Sequence, residues 1–346
     1  MSRYEIVRGK TRRYALWLMA GLTSTVALHA CTQQPSSDEK STSTTPVAAK
    51  LAANLWVGYI PLYIASEKGF FSNEGLNLES IIFSGSSEGN SAFVAGRIEG
   101  TVAVTSEAVT LANQTQNYRI VMVADTSKGG DGILARNSIA DIAAFKGKQV
   151  GVEPGSVSHF FLLQVLKEAG LSKDDIEIVN LTADSAAAAY QAGKVDIVVT
   201  YAPFLQQANE AQKDGRIIYD TSKMPAAIVD VYLFNSKFID ENPQAIQVFV
   251  NGIIKGMEFL ETNREEALAI ASKKLQQTVQ DTEDQLKGVE LIGKEKNIEM
   301  LSDPNSNLYL GKQMESLGEF LVAQKQLNKI PVELTKLLEP KFVKSV

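Results

Sequence analysis

Trp56-Val57-Gly58-Tyr59-Ile60-Pro61-Leu62-Tyr63-Ile64-Ala65-Ser66-Glu67-Lys68-Gly69-Phe70-Phe71 follows a strand candidate at 50–53 and leads into a helix candidate at 62–73. A strand, a short loop carrying two aromatics and a helix make the first unit of an alternating pattern. Outward from it, short apolar runs suited to strands recur at 76–83, 100–104, 120–124, 132–136, 149–153, 176–180, 195–200 and 216–219. Amphipathic segments suited to helices lie between them, at 89–95, 108–114, 139–145, 157–169, 185–192 and 203–214. Val195-Asp196-Ile197-Val198-Val199 is nearly continuously apolar, as a parallel strand covered on both faces should be. The pattern predicts an α/β fold built on parallel sheet. Gly170 and Gly215 fall where helix C-caps belong.

Beyond the strand candidate at 231–235 the texture becomes helical. Asn242-Pro243 reads as an N-cap followed by a proline at the first helical position. Ile246, Phe249, Val250, Ile253, Ile254, Met257 and Leu260 form one apolar stripe at helical spacing, which is core. Segments at 264–275, 282–292, 307–326 and 331–338 also read as helical.

The N-terminus has a different character. Arg3, Arg8, Lys10, Arg12 and Arg13 precede an uncharged stretch of 15 residues from Tyr14 to Leu28. That layout is a signal peptide, too short for a comfortable membrane span. It ends in Leu28-His29-Ala30-Cys31, which resembles a bacterial lipobox. Cys31 is the only cysteine, so no disulfide can form within the chain. Residues 1–30 are therefore expected to be a lipoprotein signal peptide, with lipidation at Cys31 tethering an exported protein to the membrane. Residues 31–49 read as a flexible tether, because 32–46 is rich in Ser, Thr and Gln and cannot bury a core. Without its basic leader the formal charge falls from −6 to −10, which argues against nucleic acid as a partner. The remaining chain, about 300 residues, is too long for one ordinary core and points to two domains.

The run from Trp56 to Phe71 resembles the first strand, loop and helix of the solute-binding proteins of nitrate, sulfonate and taurine ABC transporters. The resemblance extends over nearly all of 51–338 and is sharpest in that first motif. It implies a two-lobed periplasmic-binding-protein fold of type II with a ligand cleft between the lobes. Domain one would comprise 50–136 plus 231–346, and domain two 137–230. The partners implied are a small-molecule ligand and an ABC permease with its ATPase, reached by a monomer that touches the membrane only through its lipid. No cofactor and no metal are implied.

Ligands of open α/β sheets bind beyond the carboxyl ends of strands, so the loops there supply the candidate residues. The first loop gives Trp56 and Tyr59, whose faces suit apolar, planar or cationic ligands. The second, Ser84-Gly85-Ser86-Ser87-Glu88-Gly89, gives Ser86; such a loop either holds an anion or simply caps a helix. The third gives Glu107, as ligand contact or as a carboxylate favoured at a helix start. The fourth, Asp125 to Gly132, gives Asp125 and Asp131 around a turn rich in glycine. Domain two contributes Glu153, Ser156 and Tyr201. At the turn after Thr200-Tyr201, Ala202 replaces the acid that the resembled family often carries there. Asp230 sits just before the returning strand.

Arg97, Arg119, Arg136 and Arg216 fall at helix ends or strand edges, and Lys128 alone is basic in these loops. Several acids and two aromatics suit guanidinium, a planar cation whose forked N–H groups match carboxylates. The Asp-x-Ser-x-Gly-x-Asp-Gly turn from Asp125 to Gly132 also resembles a subgroup associated with guanidine and urea-carboxylase genes. Sulfonate, taurine, nitrate and a thiamine-pyrimidine precursor stay open as ligands. An enzyme reading, as a pyrimidine synthase or lyase on the same fold, needs histidine and cysteine. Past the leader the chain has one histidine, His159, and no cysteine besides Cys31. A binding protein is expected, without catalytic residues.

Overall fold

The structure is a computed structural model that describes residues 46–224 and 226–346. The leader and Cys31 lie outside the described residues. Eleven strands form two sheets among the described residues. The first contains β1 (Val47–Ala53), β2 (Leu76–Ile82), β3 (Gly100–Val104), β4 (Tyr118–Ser127), β10 (Val229–Asn235) and β11 (Val289–Leu291), in the order β11-β4-β10-β3-β1-β2. The second contains β5 (Asp131–Arg136), β6 (Gln149–Val152), β7 (Glu177–Asn180), β8 (Ile197–Tyr201) and β9 (Gly215–Asp220), in the order β7-β6-β8-β5-β9. Helices α1 (Ile60–Glu67), α2 (Ser86–Val94) and α3 (Thr105–Ala112) follow strands of the first sheet. Helices α4 (Val157–Glu168), α5 (Ala183–Gln191) and α6 (Phe204–Ala211) follow strands of the second.

The expected parallel ladders are present as β1 with β2 and β3, and as β6 with β7 and β8. Both sheets are nevertheless mixed. β10 runs antiparallel between β3 and β4, and β5 antiparallel between β8 and β9. These are the strands with which the chain enters or returns to a sheet. The apolar runs behave as their composition demands: every residue of β3 and of β8 is buried, as strands covered on both faces should be.

Three boundaries differ from the sequence expectation. The chain first crosses between sheets at 128–130, not at 136, because Asp131–Arg136 pairs with β8 and β9 of the second sheet. It returns within 221–228, so Asp230 belongs to the first lobe and not to 137–230. The flexible glycine turn, not the apolar strand after it, carries the crossing. The tether ends before residue 49, since Val47 to Ala49 pair with Leu76 to Leu78.

The C-terminal helices pack back on the first lobe. They include α7 (Ser236–Glu241), α8 (Pro243–Thr262), α9 (Arg264–Leu275) and α10 (Val279–Leu286). The stripe of α8 buries Ile246, Phe249, Val250, Ile253 and Leu260. Gly256 lets α8 approach α1, because a Cβ there would lie 2.3 Å from the carbonyl oxygen of Pro61. Asn242 precedes α8 but makes no side-chain cap; its amide bonds Phe238 O instead. The helix expected at 282–292 stops at Leu286, and Val289–Leu291 becomes an edge strand on β4. Gly215 opens β9 instead of capping a helix; a Cβ there would collide with Tyr190.

Candidate ligand-binding site

The two sheets face each other with their strand ends, and the predicted loops meet there. From the first lobe come Trp56 and Tyr59 after β1, Ser86 at the start of α2, Val102 to Val104 at the end of β3, Glu107 on α3 and Asp230 on β10. From the second come Asp131 at the start of β5, Val157 at the start of α4 and Tyr201 at the end of β8. Asp131 and Tyr201 are cross-strand partners, as are Asp230 and Val104. The walls enclose about 30 Å³ for the centres of water-sized groups. One water needs ~10–15 Å³ of such space, so the room suits a solute of a few heavy atoms.

The lobes touch across this space. Asn54 Nδ2 donates to Tyr201 Oη at 3.1 Å, and the Trp56 and Tyr201 rings meet edge to face with centroids 6.0 Å apart. Trp56 and Tyr59 are both buried. Tyr63 Oη donates to Trp56 O at 3.1 Å, which fixes the loop from below.

Three carboxylates reach the wall, each buried at 4% exposure or less: Glu107, Asp131 and Asp230. Asp230 Oδ1 accepts the hydroxyl of Tyr59 at 2.5 Å. Glu107 accepts the N–H of Val104 at 3.3 Å and the N–H of Val157 at 3.2 Å. Asp131 Oδ2 is buried without a hydrogen-bond partner. Burial raises the Asp131 carboxyl to about 7, against a lowering contact from Ser127. Burial likewise raises Glu107 to about 7, against Ser86, the Val104 N–H and Asn90. Asp230 is raised by burial and then by the charge of Asp125, its cross-strand partner. Taking a carboxylate out of water without a cation disfavours its charged form, and like charges opposite each other on neighbouring strands add to this.

Asp125 is fully buried but stands behind the wall, where both its oxygens accept the indole N–H of Trp56. Burial raises its carboxyl too, with Trp56 opposing and Asp131 adding. Two further sequence candidates lie off the wall. Glu153 is half-buried at the cleft rim, where Oε1 accepts the N–H of Ser87 at 3.4 Å. Ser156 caps α4, accepting from the His159 N–H and donating to Glu153 O at 2.7 Å.

Among the described residues no basic side chain lines the space. Lys128 pairs with Glu290, Arg119 with Asp240 and Glu339, and Arg136 with Asp196. His159 is buried in α4, its Nδ1 accepting the Gly155 N–H at 3.1 Å, and it does not reach the wall. Sequence reading passed over Asn54, Val157 and Ile228, which also line the space. Asn54 directly follows β1, so the strand-end rule could have found it.

A model of the family described as NMT1/THI5 like matches residues 56–267. The taurine-binding periplasmic protein of Escherichia coli K12 is 25% identical over 44% of this chain. The chain spans only about half of that relative's length, 48%. The 4-amino-5-hydroxymethyl-2-methylpyrimidine phosphate synthase of Candida albicans is 25% identical over 61% of this chain and 66% of its own length. Among solved structures, the alkanesulfonate-binding protein of Xanthomonas axonopodis pv. citri bound to MOPS superimposes with a TM-score of 0.70. It is 18% identical and covers 84% of this chain and 98% of that one. The aliphatic sulphonate binding protein of Escherichia coli gives a TM-score of 0.68 at 19% identity, covering 86% of this chain and 99% of that one. At these identities the likeness is one of fold, the two-lobed periplasmic-binding-protein architecture.

Proposed function

The chain belongs to the NMT1/THI5-like family, and from that premise we propose that it is the substrate-binding component of an ABC importer. It would capture a small nitrogenous cation, guanidinium in the first place, by closing two lobes over it. The observation that carries the ligand class is the set of wall carboxylates without a basic residue, above all the unpartnered Asp131 Oδ2. A buried carboxylate is expensive unless it is paired and hydrogen-bonded. A cationic solute supplies that partner. Guanidinium offers N–H groups to Asp131, Asp230 and Glu107 at once, and a flat face to Trp56 and Tyr201. Two helix starts at the cleft, which would attract an anion, already receive the chain's own carboxylates, Glu107 and Glu153.

A second reading has its own support. The taurine-binding and alkanesulfonate-binding likenesses favour a sulfonate, and taurine carries an ammonium that Asp131 could hold. Calorimetric titration of the purified protein with guanidinium, taurine, an alkanesulfonate and nitrate decides between them. Heat from guanidinium alone supports the cation reading; tight binding of a sulfonate with none of guanidinium overturns it. The synthase likeness raises an enzyme reading. Against it stand a wall without histidine or cysteine and a chain whose only cysteine is Cys31.

The cellular setting follows the same reading. The leader and Cys31 support export and lipid anchoring, and the periplasmic relative is in keeping with them. No helix of the described residues is long and apolar enough to cross a membrane. The partners would be a permease and its ATPase, met by a monomer.

A further inference from the structure

Two hydrogen bonds cross the cleft in opposite senses. Glu107, on α3 of the first lobe, accepts the N–H of Val157, the first residue of α4 in the second lobe, at 3.2 Å. Glu153, after β6 of the second lobe, accepts the N–H of Ser87, in the first turn of α2 in the first lobe, at 3.4 Å. Each lobe thus offers a carboxylate to a helix start on the other. From this geometry we infer that Glu107 and Glu153 are a reciprocal pair of interlobe latches that hold the closed form and set its lifetime.

The surroundings are built for this. The first N–H groups of a helix lack partners within it, and the helix dipole favours negative charge there. The N-cap of α2 is Gly85, which makes no side-chain cap, so the cap arrives from across the cleft as Glu153. Gly85 leaves room for this approach: a Cβ there would lie 2.5 Å from Glu153 Oε1, and the carboxylate would have to shift. Behind Glu153, Ser156 Oγ donates to its carbonyl at 2.7 Å and steadies the turn. Glu107 is steadied by the N–H of Val104 in its own lobe, leaving its other oxygen for Val157. Neither glutamate forms an ion pair among the described residues, so each latch is one hydrogen bond deep and can open.

This inference rests on the reading of a protein whose lobes close, but not on the solute's identity. All the groups involved belong to the chain, so the test needs no ligand. Amide exchange in buffer is followed at Ser87 and Val157 in the wild type and in Glu107→Ala, Glu107→Gln and Glu153→Ala. Both amides should be protected in the wild type. Glu107→Ala should speed exchange at Val157 roughly tenfold, as loss of a buried hydrogen bond that leaves an N–H unpartnered does. It should also speed Ser87, which it does not touch, because both amides report one closed form. Glu153→Ala should do the converse. Glu107→Gln keeps an acceptor oxygen in place and should restore much of the protection at both amides. Unchanged slow amides in β8, in the core of the second lobe, establish that each variant is folded. Faster exchange confined to the one amide that the substituted glutamate contacts, or a wild type with both amides unprotected, overturns the inference. A failed guanidinium titration with cross-lobe coupling intact would reject the solute and leave the latches standing.

Discussion

The indole N–H of Trp56 lies 3.2 Å from each carboxylate oxygen of Asp125. The ring is seated by glycines on both sides. A Cβ at Gly58 would stand 2.3 Å from Trp56 Nε1 and 2.2 Å from Asp125 Oδ2. A Cβ at Gly130 would stand 2.4 Å from the far edge of the indole. Gly130 belongs to the crossing between lobes, so the indole rests on the hinge while its other side meets Tyr201 across the cleft. In the proposed function, Asp125 would therefore act on a ligand through the orientation of Trp56.

Gly58→Ala should destabilise the protein by about 1–3 kcal/mol, the usual cost of forcing a methyl group into filled space. Urea unfolding measures it. Trp56 is the only tryptophan among the described residues, the other being Trp17 in the leader. Its emission should move to longer wavelength in the same variant as the indole leaves its seat. Wild-type stability and emission together would mean that the indole is not held as described.

Asp131→Asn should weaken guanidinium binding far more than Asp125→Asn. Asp131 presents an unpartnered oxygen on the wall, whereas Asp125 is screened by the indole. Removing one partner of a buried ion pair costs about 3–5 kcal/mol, enough to abolish a calorimetric signal at ordinary concentrations. Equal losses in the two variants would put Asp125 in direct contact with the solute.

The strand-end rule made most of this site legible before any coordinates. Trp56, Tyr59 and Glu107 follow strands, Tyr201 ends one, Asp131 and Asp230 lie where strands begin, and all line one space. What remained hidden depends on pairing, which local sequence does not encode. Asp131 looks like a turn residue by composition, yet its strand is claimed by β8 and β9. Val289–Leu291 sits in a helical-looking stretch and becomes a strand only because β4 offers an edge. Glu153 and Ser156 are polar residues at a strand end, as the rule requires, but one bridges to Ser87 and the other caps its own helix.

The raised carboxyls set a pH dependence with a definite sign. Asp131 moves from 3.8 to about 7, and Glu107 from 4.5 to about 7. Between those limits the folded protein holds protons that the unfolded chain has released. Stability contributed by these groups is thus full in acid and is lost as pH rises towards 7. The ligand-free melting temperature should fall across that window if these groups dominate it. Cation affinity should run the other way, rising through pH 7 as the wall ionises. Calorimetry in buffers of different ionisation heat should then show protons released on binding. An affinity for guanidinium that is flat from pH 6 to 8 would contradict carboxylate recognition.

The last prediction concerns the hinge. Thr221 begins the returning crossing, and its Oγ1 lies 2.7 Å from Ser127 Oγ and accepts the Gly129 N–H at 2.7 Å. One hydroxyl thereby ties the outgoing crossing to the returning one; Ser127 and Thr221 are fully buried, and Gly129 is half-buried. Thr221→Val keeps the shape and removes the bonds. Each buried polar group left without a partner costs about 1–3 kcal/mol, so unfolding should occur at clearly lower denaturant. The Gly129 amide should exchange faster, and the two crossings should move more independently. Small-angle scattering should then show a less sharp compaction on adding guanidinium, while Asp131→Asn abolishes the compaction by removing the solute contact. Wild-type stability and a protected Gly129 amide in Thr221→Val would show that the crossings are held by their flanking strands alone.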